Sequence, residues 1–86
     1  MLFMVIERFK NGGIEAVGER FRQKGRMQPD DVLYHANWLE EDGSRCFQLM
    51  EAAGPERLEP WMRRWDDLME FEVVPVVTSS EFWAGR

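Results

Sequence analysis

Two apolar runs near opposite ends of the chain, LFMVIERF at 2–9 and FEVVPVV at 71–77, constrain the fold more than any other feature. Both are apolar on consecutive positions and rich in β-formers, so each predicts a strand with little polar surface to show on either side. One face of such strands packs under helices, and the other is left for something else to cover. A domain of 86 residues has a thin core, removing roughly 60 to 65% of its unfolded surface from water, so a deep ligand cavity within one copy is not expected. Yet 44% of the residues are hydrophobic, with four Trp and six Phe, and part of that bulk is expected to meet a second chain. Pro75 has no N–H for a ladder, which argues that the last strand lies at an edge or carries a bulge. An apolar edge strand needs cover, and a partner subunit would provide it.

Between these strands the pattern changes period. KNGG at 10–13 is a turn, and Ile14, Val17 and Phe21 follow at helical spacing, with Gly25 as the expected C-terminal cap. MQPDD at 27–31 is a loop, because Pro29 disfavours helix at Gln28. GPERLEPWMRRWDDLM at 54–69 predicts a second helix through Leu58, Trp61, Met62, Trp65 and Leu68 or Met69; Pro60 makes it either begin near Glu59 or kink after a first turn from Pro55. The tail TSSEFWAGR carries Phe82 and Trp83, which have no evident place inside one thin domain and are candidates for an interface.

Val32 to Leu39 and Arg45 to Glu51 are two β-like runs separated by EEDGS, with Asp42-Gly43 suited to a two-residue type I′ turn. Counting outward pairs Leu39 with Cys46, Trp38 with Phe47, Asn37 with Gln48, Ala36 with Leu49 and His35 with Met50, and paired residues share a face. Ala36, Trp38, Phe47 and Leu49 are the face expected under the helices. His35, Asn37, Leu39, Cys46, Gln48 and Met50 are the face expected to stay open, and they mix polar and soft apolar groups where a solvent face favours Lys, Glu, Thr and Arg. Glu7 joins them if its side of the first strand points the same way; the parity of that strand is not set by the sequence.

The element order is strand, helix, strand, strand, helix, strand. It predicts a single α+β domain over residues 1–86, a ferredoxin-like βαββαβ sandwich with a four-stranded antiparallel sheet and both helices on one face. Two such sheets facing each other would form a dimeric α+β barrel, so a homodimer is expected. A net charge of −5 opposes binding to nucleic acid or an anionic membrane. The basic stretch ERFRQKGR at 19–26 reads as the solvated, C-terminal end of a helix rather than a phosphate site. A lone Cys46 forms no intrachain disulfide, and no run is long enough for a signal peptide or membrane span, so a reducing, cytoplasmic location is expected.

LFMVIERF, the hairpin pattern W-x-x-x-D-G-S-x-x-F-Q-L-M-E-A from Trp38 to Ala52, W-M-x-x-W-x-D-L from Trp61 to Leu68, and E-V-V-P-V-V from Glu72 to Val77 resemble the small bacterial proteins grouped as domain-of-unknown-function family 3303. The resemblance covers nearly the whole chain. It implies a ferredoxin-like α+β barrel within a superfamily of dimers, and it carries no catalytic residue onto any position.

The residues limit the chemistry. One His, one Cys and scattered carboxylates do not make a zinc site, and no metal or cofactor is expected. NGG at 11–13 lacks the spacing of a phosphate-binding loop. Cys46 has no base beside it and reads as a buried, inert thiol. If a partner covers the hairpin face, each unsatisfied polar group there costs roughly 1 to 3 kcal/mol, so His35, Asn37 and Gln48 either bond one another across subunits or line a ligand cavity. Three functions follow. The first is a homodimer binding a small apolar or aromatic ligand between sheet and partner, with His35, Asn37, Gln48 and Met50 as the binding residues. The second is an enzyme resembling the superfamily's cofactor-free or haem-using monooxygenases, with His35 as proton-transfer group or haem ligand and Asn37 as hydrogen-bond donor. The third is a non-catalytic dimer that binds another protein through an acidic face or the Phe82-Trp83 tail.

Overall fold

In the computed structural model, which describes residues 1–86, the chain passes through β1 (Leu2–Phe9), α1 (Gly13–Lys24), β2 (Leu33–Leu39), β3 (Arg45–Glu51), a 3-10 turn (Pro55–Leu58), α2 (Glu59–Arg63), β4 (Met69–Val76) and α3 (Ser79–Ala84). The strands form one antiparallel sheet in the order β2-β3-β1-β4, with α1 and α2 against one face: the ferredoxin-like α+β arrangement. Pro75 sits in the edge strand β4 opposite Phe3, where the missing N–H interrupts nothing on the outer side.

Alternation along β1 sends Phe3, Val5 and Glu7 toward the helices and Leu2, Met4 and Ile6 away. Phe3 and Val5 meet Val32, Met50, Leu58, Trp61 and Trp65 in the core, all nearly excluded from solvent. Leu58, Trp61, Trp65 and Leu68 are buried as their spacing requires, but the helix is far shorter than 54–69. A 3-10 turn from Pro55 precedes α2, which begins at Glu59 with Pro60 in its first turn, the place where a missing N–H costs least. After Arg63 the backbone continues as turns, closed by Trp65 N–H to Met62 O (3.0 Å) and Leu68 N–H to Trp65 O (2.9 Å), and Met69 already belongs to β4.

Helix α1 ends at Gly25, whose positive φ of 70° lets its N–H bond Phe21 O at 2.8 Å. None of its residues is buried; only Ala16 and Val17 reach the margin of the core. Its attachment is polar. Arg20 forms a two-pronged pair with Asp67 (2.7 Å for each bond) and donates to Arg64 O at 3.0 Å, while Asn11 Nδ2 donates to Asp67 O at 2.7 Å.

The hairpin has the expected pairs Leu39–Cys46, Trp38–Phe47, Asn37–Gln48 and Ala36–Leu49, but Tyr34, not His35, stands opposite Met50. A bulge between Tyr34 and Ala36 makes His35 the extra residue. The type I′ turn is absent as well, because Gly43 alone takes positive φ (76°). Glu40 and Arg45 still pair, Gly43 N–H bonds Glu40 O at 2.8 Å, and the Asp42 carboxylate accepts from Ser44 N–H and Oγ–H at 3.0 and 2.6 Å. Those bonds hold Asp42 in an Asx-type geometry in place of a mirror-image turn.

The two faces of the hairpin are the reverse of the expectation. Asn37, Leu39, Cys46, Gln48 and Met50 lie on the helix side with Glu7, and Ala36, Trp38, Phe47 and Leu49 lie on the uncovered side. The tail is a short helix, capped by Thr78 Oγ1 accepting from Glu81 N–H at 3.0 Å, with Phe82 and Trp83 exposed and edge-on to each other at 5.2 Å. No helix is long and apolar enough to cross a membrane.

Candidate functional site

Where α1 stands off the sheet, its inner side and the sheet bound an open cavity of about 310 Å³. Ile14, Val17, Gly18 and Phe21 form the helix wall, Glu7, Asn37, Leu39, Cys46 and Gln48 the sheet wall, and Trp61 and Trp65 close one side. The space exists because α1 offers nothing large at its centre: no atom lies within 4 Å of where a Cβ on Gly18 would stand. A single copy therefore has a cavity, though one open to solvent at Phe21 and Leu39 and not a deep internal one.

Glu7 is at its polar end and is 2% exposed. It is placed there by the β1 alternation that buries Phe3 and Val5, and the sheet register sets Cys46 directly opposite. Gln48, two residues further along β3 on the same face, donates from Nε2 to Glu7 Oε2 at 2.8 Å and accepts at Oε1 from Arg26 Nε at 3.1 Å. The Arg26 guanidinium lies against the Tyr34 ring at 3.7 Å and near the Phe21 ring at 5.2 Å, so it joins α1 to β2 across the mouth of the cavity. Trp65 Nε1–H donates to Arg26 O at 3.0 Å, fixing the backbone from which that side chain springs.

Burial pushes the Glu7 carboxyl up from its ordinary 4.5 to about 7, against the opposing pull of the Gln48 hydrogen bond, the Cys46 thiol and the Arg26 charge. The Cys46 thiol is pushed up to about 12 by burial and then by the neighbouring Glu7 charge. The site thus holds an acid that changes charge near neutrality, a thiol that stays protonated, and a permanent cation. One fully buried donor is left over: Trp61, 1% exposed and part of the cavity wall, has an indole N–H without a partner.

Of the residues singled out in the sequence, Asn37 and Gln48 line this cavity. Asn37 Oδ1 accepts from Tyr34 O–H at 3.0 Å. Met50 is fully buried in the core and is not part of the cavity wall. His35 is on the other side of the sheet, where its Nε2 meets Glu51 Oε1 at 2.8 Å beside an open groove formed with Leu2, Pro75 and Val76. The residues named for the monooxygenase reading, His35 and Asn37, therefore do not share a pocket, and they do not fit a common haem site. No group of three or more His, Cys, Asp or Glu side chains is placed to hold a metal ion. ERFRQKGR hides Arg26 among the residues of a solvated basic face, and the spacing of Trp61 and Phe21 signals helix packing alone, so nothing in the sequence marks these three as cavity residues.

A model of the family described as a domain of unknown function (DUF3303) matches residues 1–85. No curated protein and no solved structure matches.

Proposed function

The chain belongs to the DUF3303 family, which assigns it no activity, and we propose from its geometry that it binds a small, largely apolar or aromatic molecule in the cavity between α1 and the sheet. The observation that carries this is the pairing of a largely apolar cleft of about 310 Å³ with a few polar groups gathered at one end, Glu7, Gln48 and Arg26. That is the usual make-up of a small-molecule site, and the volume suits a compact ligand. Because the cavity is on the helix side of the sheet, the ligand touches one chain only, and a partner subunit is not needed to complete the site.

Thermal-shift screening with aromatic and alkyl compounds tests the reading. Stabilisation of the native chain is expected, with its loss in Gly18→Leu, which fills the cavity from a helix position that has open space before it. A library that gives no shift, or shifts that survive the Leu side chain, would count against it.

A second reading concerns assembly, and a different observation favours it. On the uncovered face the registers align Ala36, Leu49, Met4 and Val74 in one row and Trp38, Phe47 and Ile6 in the next, with Trp38 54% exposed. A continuous apolar sheet face of this kind is what a second copy of the chain would cover, giving a homodimer with sheet against sheet.

A further inference from the structure

We propose that the ligand of this cavity ends in a carboxylate seated on the Arg26 guanidinium, so that the site selects aryl or alkyl carboxylic acids; the inference rests on the cavity being a ligand site.

Arg26 forms no direct ion pair. Seven ion pairs form in the chain, and Arg26 is in none of them. Only its Nε has an acceptor, Gln48 Oε1, and the two terminal nitrogens of the fork find no oxygen in the chain. The guanidinium lies over the Tyr34 ring and near the Phe21 ring, contacts that hold it in place without neutralising it. A partly buried guanidinium held this way is a preformed fork for a two-oxygen anion.

Hydrogen-bonding capacity around it is unbalanced in the same direction. Three of the oxygens that face the cluster are taken: Gln48 Oε1 by Arg26, Asn37 Oδ1 by Tyr34 O–H, Glu7 Oε2 by Gln48. The groups left without partners are donors, the terminal nitrogens of Arg26 and the buried indole N–H of Trp61. An incoming molecule that brings acceptors finds donors waiting for it, and a primary amine would meet the Arg26 charge. The rest of the wall, Phe9, Val17, Phe21 and Leu39, asks for hydrocarbon.

Glu7 sets the conditions under which the anion is accepted. The groups that face it are the Cys46 thiol and Gln48 from β3, Arg26 from the loop after α1, Phe71 from β4 and Trp61 from α2, and of these only Arg26 carries charge near neutrality. Below about pH 7 Glu7 is protonated and the cluster is a net cation. Above it the carboxylate cancels Arg26 and the attraction is lost.

Calorimetric titration of the purified chain with naphthoate and naphthamide, and with decanoate and decanol, tests the head group. Each acid is expected to bind about tenfold or more tightly than its neutral counterpart at pH 6, a ratio appropriate to a charge-assisted fork. Raising the pH to 8 should shrink that ratio in the native chain and leave it unchanged in Glu7→Gln. Arg26→Gln should abolish the preference while the neutral compounds still bind, and Arg26→Lys, which keeps the charge but not the fork, should retain part of it. Neutral compounds binding as well as the acids, or a preference that survives Arg26→Gln, overturns the head-group assignment and leaves the cavity reading standing. If none of the four compounds binds, both readings fall together.

Discussion

Glu7 concentrates the energetics of the inner face in one residue. A carboxyl that is 2% exposed survives in the core because Gln48 bonds it and because it keeps its proton to near neutrality. Its titration has a definite consequence for stability. Between pH 4.5 and about 7 the native chain holds a proton that the unfolded chain has released, so the unfolded state binds fewer protons and stability falls as pH rises through that window. A shift of this size corresponds to about 3 kcal/mol, reached above pH 7 and constant beyond. Urea midpoints at pH 5 and 8 should show the drop, and Glu7→Gln should remove most of it. Asp67 and Glu40 behave oppositely: the hydrogen bonds from Arg20 and Arg45 hold both below the usual carboxylate range, so their contributions disappear only on acidification below about pH 4. The clustering of unusual letters in the hairpin was legible at this scale, since Asn37, Cys46 and Gln48 do belong together. Which way they point was not, because a chain that buries Glu7 and Gln48 as a bonded pair escapes the rule that the more apolar side of a strand faces the helices.

Among the elements, α1 departs most from what its pattern implied. Ile14, Val17 and Phe21 have the spacing of a packed helix, yet no residue of α1 is buried, and the helix is tethered by Arg20 to Asp67 rather than seated on the sheet. Gly18 in its middle is the visible cause of the gap and carries the backbone cost of glycine in a helix. Gly18→Ala meets no atom within 4 Å and should stabilise the chain by about 0.5 to 1 kcal/mol, read from the urea midpoint at unchanged slope. The strands were the most legible elements, because continuous apolar runs bounded by turn residues leave few alternatives. The second helix is shorter than its pattern implies because the spacing of Leu58, Trp61, Trp65 and Leu68 reports burial, and a 3-10 turn, a short helix and a series of turns can bury the same four side chains.

For the molecule as a whole, the sheet divides two roles between its faces. The helix side holds the cavity, and the other side presents rows of apolar residues bordered by Arg8, Arg45, Glu51 and Glu72. If the second copy covers that face, native mass spectrometry should give twice the chain mass of 10.2 kDa, and Trp38→Glu should convert it to monomer with the circular dichroism of the fold retained. A wild-type chain that stays monomeric across a wide concentration range would sink the sheet-to-sheet assembly without touching the cavity. Sequence alone pointed to the uncovered face through the two-sided apolarity of β1 and β4, though it assigned the wrong hairpin residues to it.

The loose seating of α1 also bears on what holds the native state together. A helix with no buried residue of its own opens at a free energy well below that of the sheet, so its backbone amides should exchange with deuterium far faster than those of β1 and β3. A molecule filling the space beneath it would supply the missing interior contacts. Occupancy should then be readable as selective slowing of exchange across 13–24, with the central strands unchanged: a segment whose order is lent by its guest.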